Sequence, residues 1–148
     1  MGLFDKVLGN RGSGNAGFSK QEAFAAIMLA TVAADGHISD EEVDGFNAVI
    51  NRMKLFQAQS APELRAMIDK LFGILNRSGA TALLEKGAEF LPSELRETAF
   101  AVAGDFVFAD GLVEDEEMAV LEALQKTLGI AEDKAVQILE VLEIKNRG

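Results

Sequence analysis

The sequence predicts an all-α fold, a single domain of six or seven helices with a bundle-like core. Three observations support this prediction. Apolar residues recur at helical spacing along most of the chain, the helix-capping pattern S-x-x-E occurs three times, and no run alternates with the period of a strand. The chain has 148 residues, enough to bury one hydrophobic core, and its apolar and charged fractions are typical of globular proteins.

The N-terminal residues differ in composition from the rest. Residues 1–17 are predicted to be a short amphipathic segment followed by a linker, and residues 18–148 a helical domain. An apolar stripe runs along the segment at helical spacing: Leu3, Phe4, Val7 and Leu8. Gly9–Gly17 is rich in glycine, which is typical of a flexible linker. We expect the apolar segment to dock on its own domain, with a partner or a membrane surface as the alternatives.

Six apolar stripes follow, each with the spacing of one helix face. The first lies in the apolar run 23–34, which is too short to span a bilayer and is predicted to be a buried core helix. The stripes are, in order, Phe24, Ile27, Met28 and Val32; Val43, Phe46, Ile50 and Met53; Leu64, Met67, Ile68, Leu71, Phe72 and Leu75; Leu95, Ala99, Val102, Ala103 and Phe106; Leu121, Leu124 and Leu128; Ala135, Ile138, Leu139 and Leu142. Four methionines are predicted to fill the core, namely Met28, Met53, Met67 and Met118.

Local signals mark where helices begin and end. The pairs Ser19–Glu22, Ser39–Glu42 and Ser60–Glu63 match the capping box, in which each side chain bonds to the other residue's backbone N–H. Gly79 and Gly129 lie where C-terminal caps are expected.

One nine-residue pattern occurs twice, as ADGHISDEE at 34–42 and as ADGLVEDEE at 109–117. The two copies are 75 residues apart, so Asp35 is equivalent to Asp110 and Glu42 to Glu117. Each copy follows an apolar helix, turns at Asp-Gly and enters a second helix through acidic residues. We therefore predict an internal pseudo-two-fold repeat of helix–loop–helix units, with both Asp-Gly loops at the same end of the bundle.

Each copy matches the second half of the calcium loop D-x-[DN]-x-[DN]-G-x₅-E, with Asp, Gly and Glu at positions 5, 6 and 12. The first half lacks carboxylates, because positions 1 and 3 hold Thr31 and Ala33 in one copy and Phe106 and Phe108 in the other. Calcium takes about six to eight oxygens, whereas one copy offers about four. The sequence therefore predicts weak binding of a divalent cation in each loop, or one site pooled between Asp35, Glu42, Asp110 and Glu117.

Calcium is the favoured cation, and magnesium or manganese would also suit these oxygen ligands. The less favoured candidate ligands are His37, Glu41, Glu114 and Glu116. The alternative is that the acids only stabilise helix starts, through capping and the helix dipole. The second copy favours the cation, because Glu114 is a poor N-cap and five acids between Asp110 and Glu117 repel one another.

Composition excludes several functional classes. The chain has no Cys and one His, which excludes a cysteine nucleophile and a typical structural zinc site. Its net charge of -10, with scattered Lys and Arg, disfavours nucleic acid and small oxyanions as ligands. No catalytic set or nucleotide motif is present, so we expect no enzyme activity. No signal peptide or transmembrane segment is apparent, which predicts a cytoplasmic location.

The two motifs AADGHISDEE and FADGLVEDEE, on an acidic helical chain of this length, resemble the tellurite resistance TerB-like family over residues 18–143. The resemblance implies an all-α fold with internal pseudo-symmetry and a bacterial stress-response protein without enzyme activity. It implies divalent-cation binding by Asp35, Glu42, Asp110 and Glu117. It also implies work with other stress-response proteins, in the cytoplasm or at the membrane periphery. The alternative function is that of a metal-free helical adaptor whose acidic end binds a partner protein.

Overall fold

The structure is a computed structural model, and it describes residues 17–33, 38–109 and 115–147. Within these ranges the fold is all-α, with six α-helices, two short 3-10 turns and no strand, as predicted. The helices are α1 (Lys20–Val32), α2 (Asp40–Arg52), α3 (Ala61–Phe90), α4 (Arg96–Ala109), α5 (Asp115–Leu128) and α6 (Glu132–Lys145).

Helix α1 is the centre of the core. All ten residues from Ala23 to Val32 are buried, so this helix has no solvent-exposed face beyond its first turn. It packs mainly against α3 and also contacts α2, α4 and α5. The contact with α3 is close, because a Cβ at Gly87 would lie 2.9 Å from the backbone oxygen of Ala23. The apolar run 23–34 thus contributes the buried core helix that its composition predicts.

Three helices begin with the predicted capping boxes. In each box the backbone N–H of Ser donates to Oε1 of Glu at 2.8 or 2.9 Å. The backbone N–H of Glu donates in return to the Ser Oγ at 3.1 or 3.2 Å. The pairs Ser19–Glu22, Ser39–Glu42 and Ser60–Glu63 therefore satisfy two otherwise unbonded backbone donors at each helix start.

Both glycines predicted as C-terminal caps have positive φ. Gly129 (φ 69°) follows α5, and its N–H donates to the oxygen of Lys126 while the N–H of Ile130 donates to that of Gln125. This bonding pattern is the Schellman motif. Gly79 has φ 88° and ψ 170° and interrupts α3, which is therefore two helical stretches in one element.

The remaining helices bury the predicted faces. Phe46 and Ile50 are buried on α2, the three leucines of the stripe on α5, and Ala135 with Leu142 on α6. The prediction that all four internal methionines fill the core is wrong for one of them. Met28 and Met67 are buried and Met53 is partly buried, but Met118 is 50 % exposed because it faces a groove on the surface.

Among the described residues, no helix is both long and apolar enough to cross a membrane. Helices α2 and α5 begin at Asp40 and Asp115, which are equivalent positions of the repeat. The pseudo-two-fold relation between the two halves stays a prediction.

Candidate acidic cation site

The starts of α2 and α5 lie at one end of the molecule. A Cβ at Gly45, in the second turn of α2, would lie 3.3 Å from Cε1 of Phe106, which is near the end of α4. In the same way, the start of α5 is near the end of α1. Glu116 and Val120 of α5 line a cavity of about 370 Å³ together with Ala30, which is near the end of α1. The start of α2 therefore lies beside the end of α4, the helix that precedes α5. The start of α5 likewise lies beside the end of α1, the helix that precedes α2. We call this region, with the first turns of α2 and α5, the acidic end.

Glu42 is the third residue of α2 and is half-buried. Its Oε1 accepts the hydrogen bond from the backbone N–H of Ser39 at 2.9 Å. The capping role predicted as the alternative is thus present in the structure. Because capping uses Oε1, the second oxygen of the carboxylate, Oε2, is the atom that a cation would take without disturbing the cap.

Glu117 is the third residue of α5 and is also half-buried. In both helices the residue before it, Glu41 or Glu116, is exposed. Glu42 and Glu117, which align with the bidentate position of the calcium loop, are therefore turned partly into the protein. In α5, Asp115 precedes both glutamates at the first position of the helix and is exposed.

The other predicted ligands, Asp35, His37, Asp110 and Glu114, lie outside the described residues. Within the ranges 17–33, 38–109 and 115–147, no group of three or more acidic or histidine side chains is placed to hold a metal ion. The combination of Glu42 and Glu117 with Asp35 and Asp110 as one ligand set therefore stays a prediction.

Ile38 lies between the two acidic parts of the first motif and packs against the core. It aligns with the apolar position 8 of the calcium loop. An apolar residue there anchors the chain that enters α2 to the core.

One nearby carboxylate has another role. Asp105, in the last turns of α4, accepts hydrogen bonds from Nζ of Lys145 at 3.2 Å and from Nδ2 of Asn146 at 2.9 Å. It therefore ties the C-terminal end of α6 to α4. No local sequence signal predicts this contact, because the partners are about forty residues apart.

The opposite end of α1 carries a partly buried ion pair. Nζ of Lys70 donates to Oε2 of Glu22 at 2.8 Å, and both side chains are largely shielded from solvent. Burial alone would raise the pKa of Glu22, but the hydrogen bonds from Lys70 and Ser19 and the charge of Lys70 outweigh it and lower the pKa. Lys70 and Lys86 also lie over the ring of Phe18, at 5.4 and 4.7 Å from its centroid.

A second surface feature was not predicted from the sequence. An apolar groove of about 520 Å³ lies between α4, α5 and α6. Its apolar lining consists of Phe100, Phe108, Met118, Leu121, Ala135, Val136 and Leu139. Met118 and Val136 are about half exposed there. No sequence signal marks it, because Met118 lies three residues before Leu121 and continues the leucine stripe of α5.

The family comparison agrees with this architecture. Residues 21–140, more than half of the chain, match the family described as tellurite resistance protein TerB. Neither the curated proteins nor the solved structures give a significant match. The matched range begins in α1, ends in α6 and contains both acidic motifs. The chain therefore belongs to the TerB tellurite resistance family.

Proposed function

We propose that this TerB-family protein has a non-enzymatic, tellurite-resistance-like role in stress response and binds a divalent cation at the acidic end. Calcium is the preferred ion, with magnesium and manganese as weaker competitors. The observation that carries the proposal is the position of the two acidic helix starts at one end of the molecule, each with a half-buried glutamate at its third residue.

The chemistry of the ligand set supports one pooled site over two separate ones. A hard cation needs about six to eight oxygens, and each motif supplies only about four. Two motifs at the same end can combine Glu42 and Glu117 with Asp35 and Asp110. Waters would complete the coordination sphere, as they commonly do for calcium and magnesium.

Electrostatics also favours a cation. Both helix starts are rich in acids, three in the first turn of α2 and three in that of α5. The helix dipole offsets part of their mutual repulsion, by an amount that is typically less than about 1 kcal/mol per charge. A bound divalent cation would offset much more of it.

The second candidate function is a metal-free adaptor whose acidic end binds a basic partner protein. Two observations favour it: Oε1 of Glu42 is engaged in a cap, and no described group of three acids could hold a metal. In this case the acids would act as a charged surface that guides a partner of opposite charge.

The two functions are separated by substituting glutamate with glutamine. Gln keeps the capping box, because its amide oxygen accepts the same backbone hydrogen bond, but it removes the carboxylate charge. The informative variants are Glu42→Gln and Glu117→Gln. Glu63→Gln is the matched control, since Glu63 has the same position in the same kind of box outside the repeat.

The measurement is thermal unfolding of EDTA-stripped protein with and without calcium. A ligand at about 100 times its Kd stabilises a protein by about 2.7 kcal/mol, so saturating calcium should raise the Tm of the wild type and of Glu63→Gln by several degrees. Glu42→Gln and Glu117→Gln should lose most of this rise. If calcium leaves the wild-type Tm unchanged, the cation proposal is wrong and the adaptor function is favoured.

A further inference from the structure

The groove between α4, α5 and α6 is a binding surface without an assigned occupant. Its volume of about 520 Å³ lies in the range of about 300–1,000 Å³ that is typical of ligand sites. Seven apolar side chains line it, and Glu122, Lys126 and Glu132 are the charged side chains among its lining residues. Met118 is 50 % exposed and Val136 48 %, so apolar area that another element could bury is open to solvent.

We propose that the N-terminal segment of the same chain, residues 3–8, forms an amphipathic helix and lies in this groove. The segment carries the apolar stripe Leu3, Phe4, Val7 and Leu8. These residues form two pairs at i, i+4 spacing, which is the pattern by which a helix anchors in an apolar groove. Asp5 and Lys6 fall outside the stripe and would face solvent.

The linker is long enough for this contact. The described chain begins beside the end of α3, where the ring of Phe18 packs edge-on against Phe90 with 6.2 Å between centroids. Helix α4 begins six residues after Phe90, and Phe100 of the groove lies one turn into that helix. The nine residues Gly9–Gly17 can span up to about 30 Å. The helical turn that separates the start of α4 from Phe100 adds only about 5 Å to the distance that the linker has to cover.

Charge and tethering favour this occupant over a separate molecule. Among the charged side chains of the groove, two are acidic and one is basic. The segment carries Lys6, a base that complements the net negative charge of this lining, and one acid, Asp5. A tether of nine residues also holds the segment at an effective concentration of the order of millimolar, so a weak contact is enough for docking.

The direct test is methyl NMR of the full chain with ¹³C-labelled methionine methyls. We expect a nuclear Overhauser effect between the Phe4 ring and the Met118 methyl group. Phe4→Ser should shift the Met118 resonance, whereas Asp5→Ser, the matched substitution on the polar face, should leave it in place. Met28 has no exposed area and serves as the internal reference.

Trypsin provides a second readout, since the segment contains Lys6 and the linker contains Arg11. The bond after Lys6 should be cleaved about tenfold more slowly in the wild type than in Phe4→Ser, as expected when the docked state is about ten times as populated as the undocked state. Cleavage after Arg11 should be the same in both. Val136→Asp, on the groove side at an exposed position, should release the segment as Phe4→Ser does.

Two outcomes would overturn the proposal. An unchanged Met118 resonance in Phe4→Ser, with no contact to Phe4, would mean that the segment does not occupy the groove. A Met118 shift that disappears on dilution, together with a dimer mass by light scattering, would assign the groove to a second copy of the chain.

Discussion

Glu22 shows how one carboxylate serves two interactions. Its Oε1 accepts the capping hydrogen bond from Ser19 at 2.8 Å, and its Oε2 accepts from Lys70 at 2.8 Å. The pKa of Glu22 is lowered as a result, even though its burial acts in the opposite direction. The same division between two oxygens is what the proposed cation site requires of Glu42.

The lowered pKa predicts how stability depends on pH at this residue. The ion pair stabilises the fold fully above the ordinary carboxyl pKa and is lost as pH falls through the lowered folded-state pKa. Glu22→Gln, which keeps the cap but removes the charge, should lower the free energy of unfolding by about 1 kcal/mol at pH 7, allowing for partial solvent exposure.

Urea denaturation at pH 7 and at pH 3 checks this prediction. The difference between wild type and Glu22→Gln should shrink at the lower pH. Glu63→Gln is the matched control, because Glu63 has the same capping contacts without an ion pair. A difference that is equal at both pH values would show that the charge of Glu22 contributes nothing.

At the scale of single residues, the capping boxes were predictable from the sequence and the ion pairs were not. The Ser and Glu of a box are three residues apart, so the pattern and the contact are both local. Glu22 and Lys70 are 48 residues apart, and Asp105 and Lys145 are 40 residues apart. Contacts of this kind depend on how the helices pack, which a local pattern does not specify.

Among the helices, α3 has a backbone break that only glycine accommodates well. Gly79 has φ 88° and ψ 170°, a conformation that is essentially restricted to glycine. A Cβ there would contact nothing within 4 Å, so any cost of substitution comes from the backbone alone. Gly79→Ala should therefore destabilise the protein by about 1–3 kcal/mol.

Gly73→Ala is the control in the same helix. Gly73 has helical geometry, and its Cβ would make only ordinary contact with Arg77, so Ala should stabilise the helix by up to about 1 kcal/mol. Urea denaturation of both variants gives the comparison. A Gly79→Ala protein as stable as Gly73→Ala would show that α3 can run straight through residue 79 at no cost.

The contact between α1 and α3 predicts a second pair of glycine effects. A Cβ at Gly87 would lie 2.9 Å from the backbone oxygen of Ala23, which cannot move without shifting α1. Gly87→Ala should cost about 1–2 kcal/mol after the gain in helix propensity is subtracted. At Gly104 the close atoms are the methyl ends of Leu142 and Leu139, which can rotate away.

Gly104→Ala is thus expected to lower the free energy of unfolding by less than about 1 kcal/mol, which is less than the cost at Gly87. Equilibrium unfolding in urea measures both variants. Equal losses at the two positions would contradict the view that α1 and α3 form the rigid contact of the core.

The order of the helices was predictable because apolar spacing and capping signals coincide along the chain. The apolar run 23–34 has no polar face, and its described part, residues 23–33, is buried among other helices in the structure. Met118 was wrongly predicted as core, since hydropathy does not distinguish a buried methionine from one that faces an open groove. Gly79, predicted as a C-terminal cap, ends one helical stretch of α3, and a second stretch follows it directly.

At the scale of the whole molecule, the acidic end depends on how four helices pack. Helices α1 and α4 both end there, and α2 and α5 both begin there. The repeat predicted which residues are equivalent, because that information is in the spacing of the motifs. How Asp35 and Asp110 are placed relative to Glu42 and Glu117 is not described by the structure, and a shared site stays a prediction.

The central claim is that the two motifs form one cation site, and a calcium titration of EDTA-stripped protein followed by amide NMR tests it most directly. We predict saturable shifts of Gly36 and Gly111 along the same binding curve, with one calcium per chain. Asp110→Asn should abolish the response of Gly36 as well as that of Gly111. Asp133→Asn, which changes a first-turn acid of α6 outside the motifs, should preserve both responses. A Gly36 response that survives in Asp110→Asn would contradict a shared site, and no shift at millimolar calcium would contradict cation binding altogether.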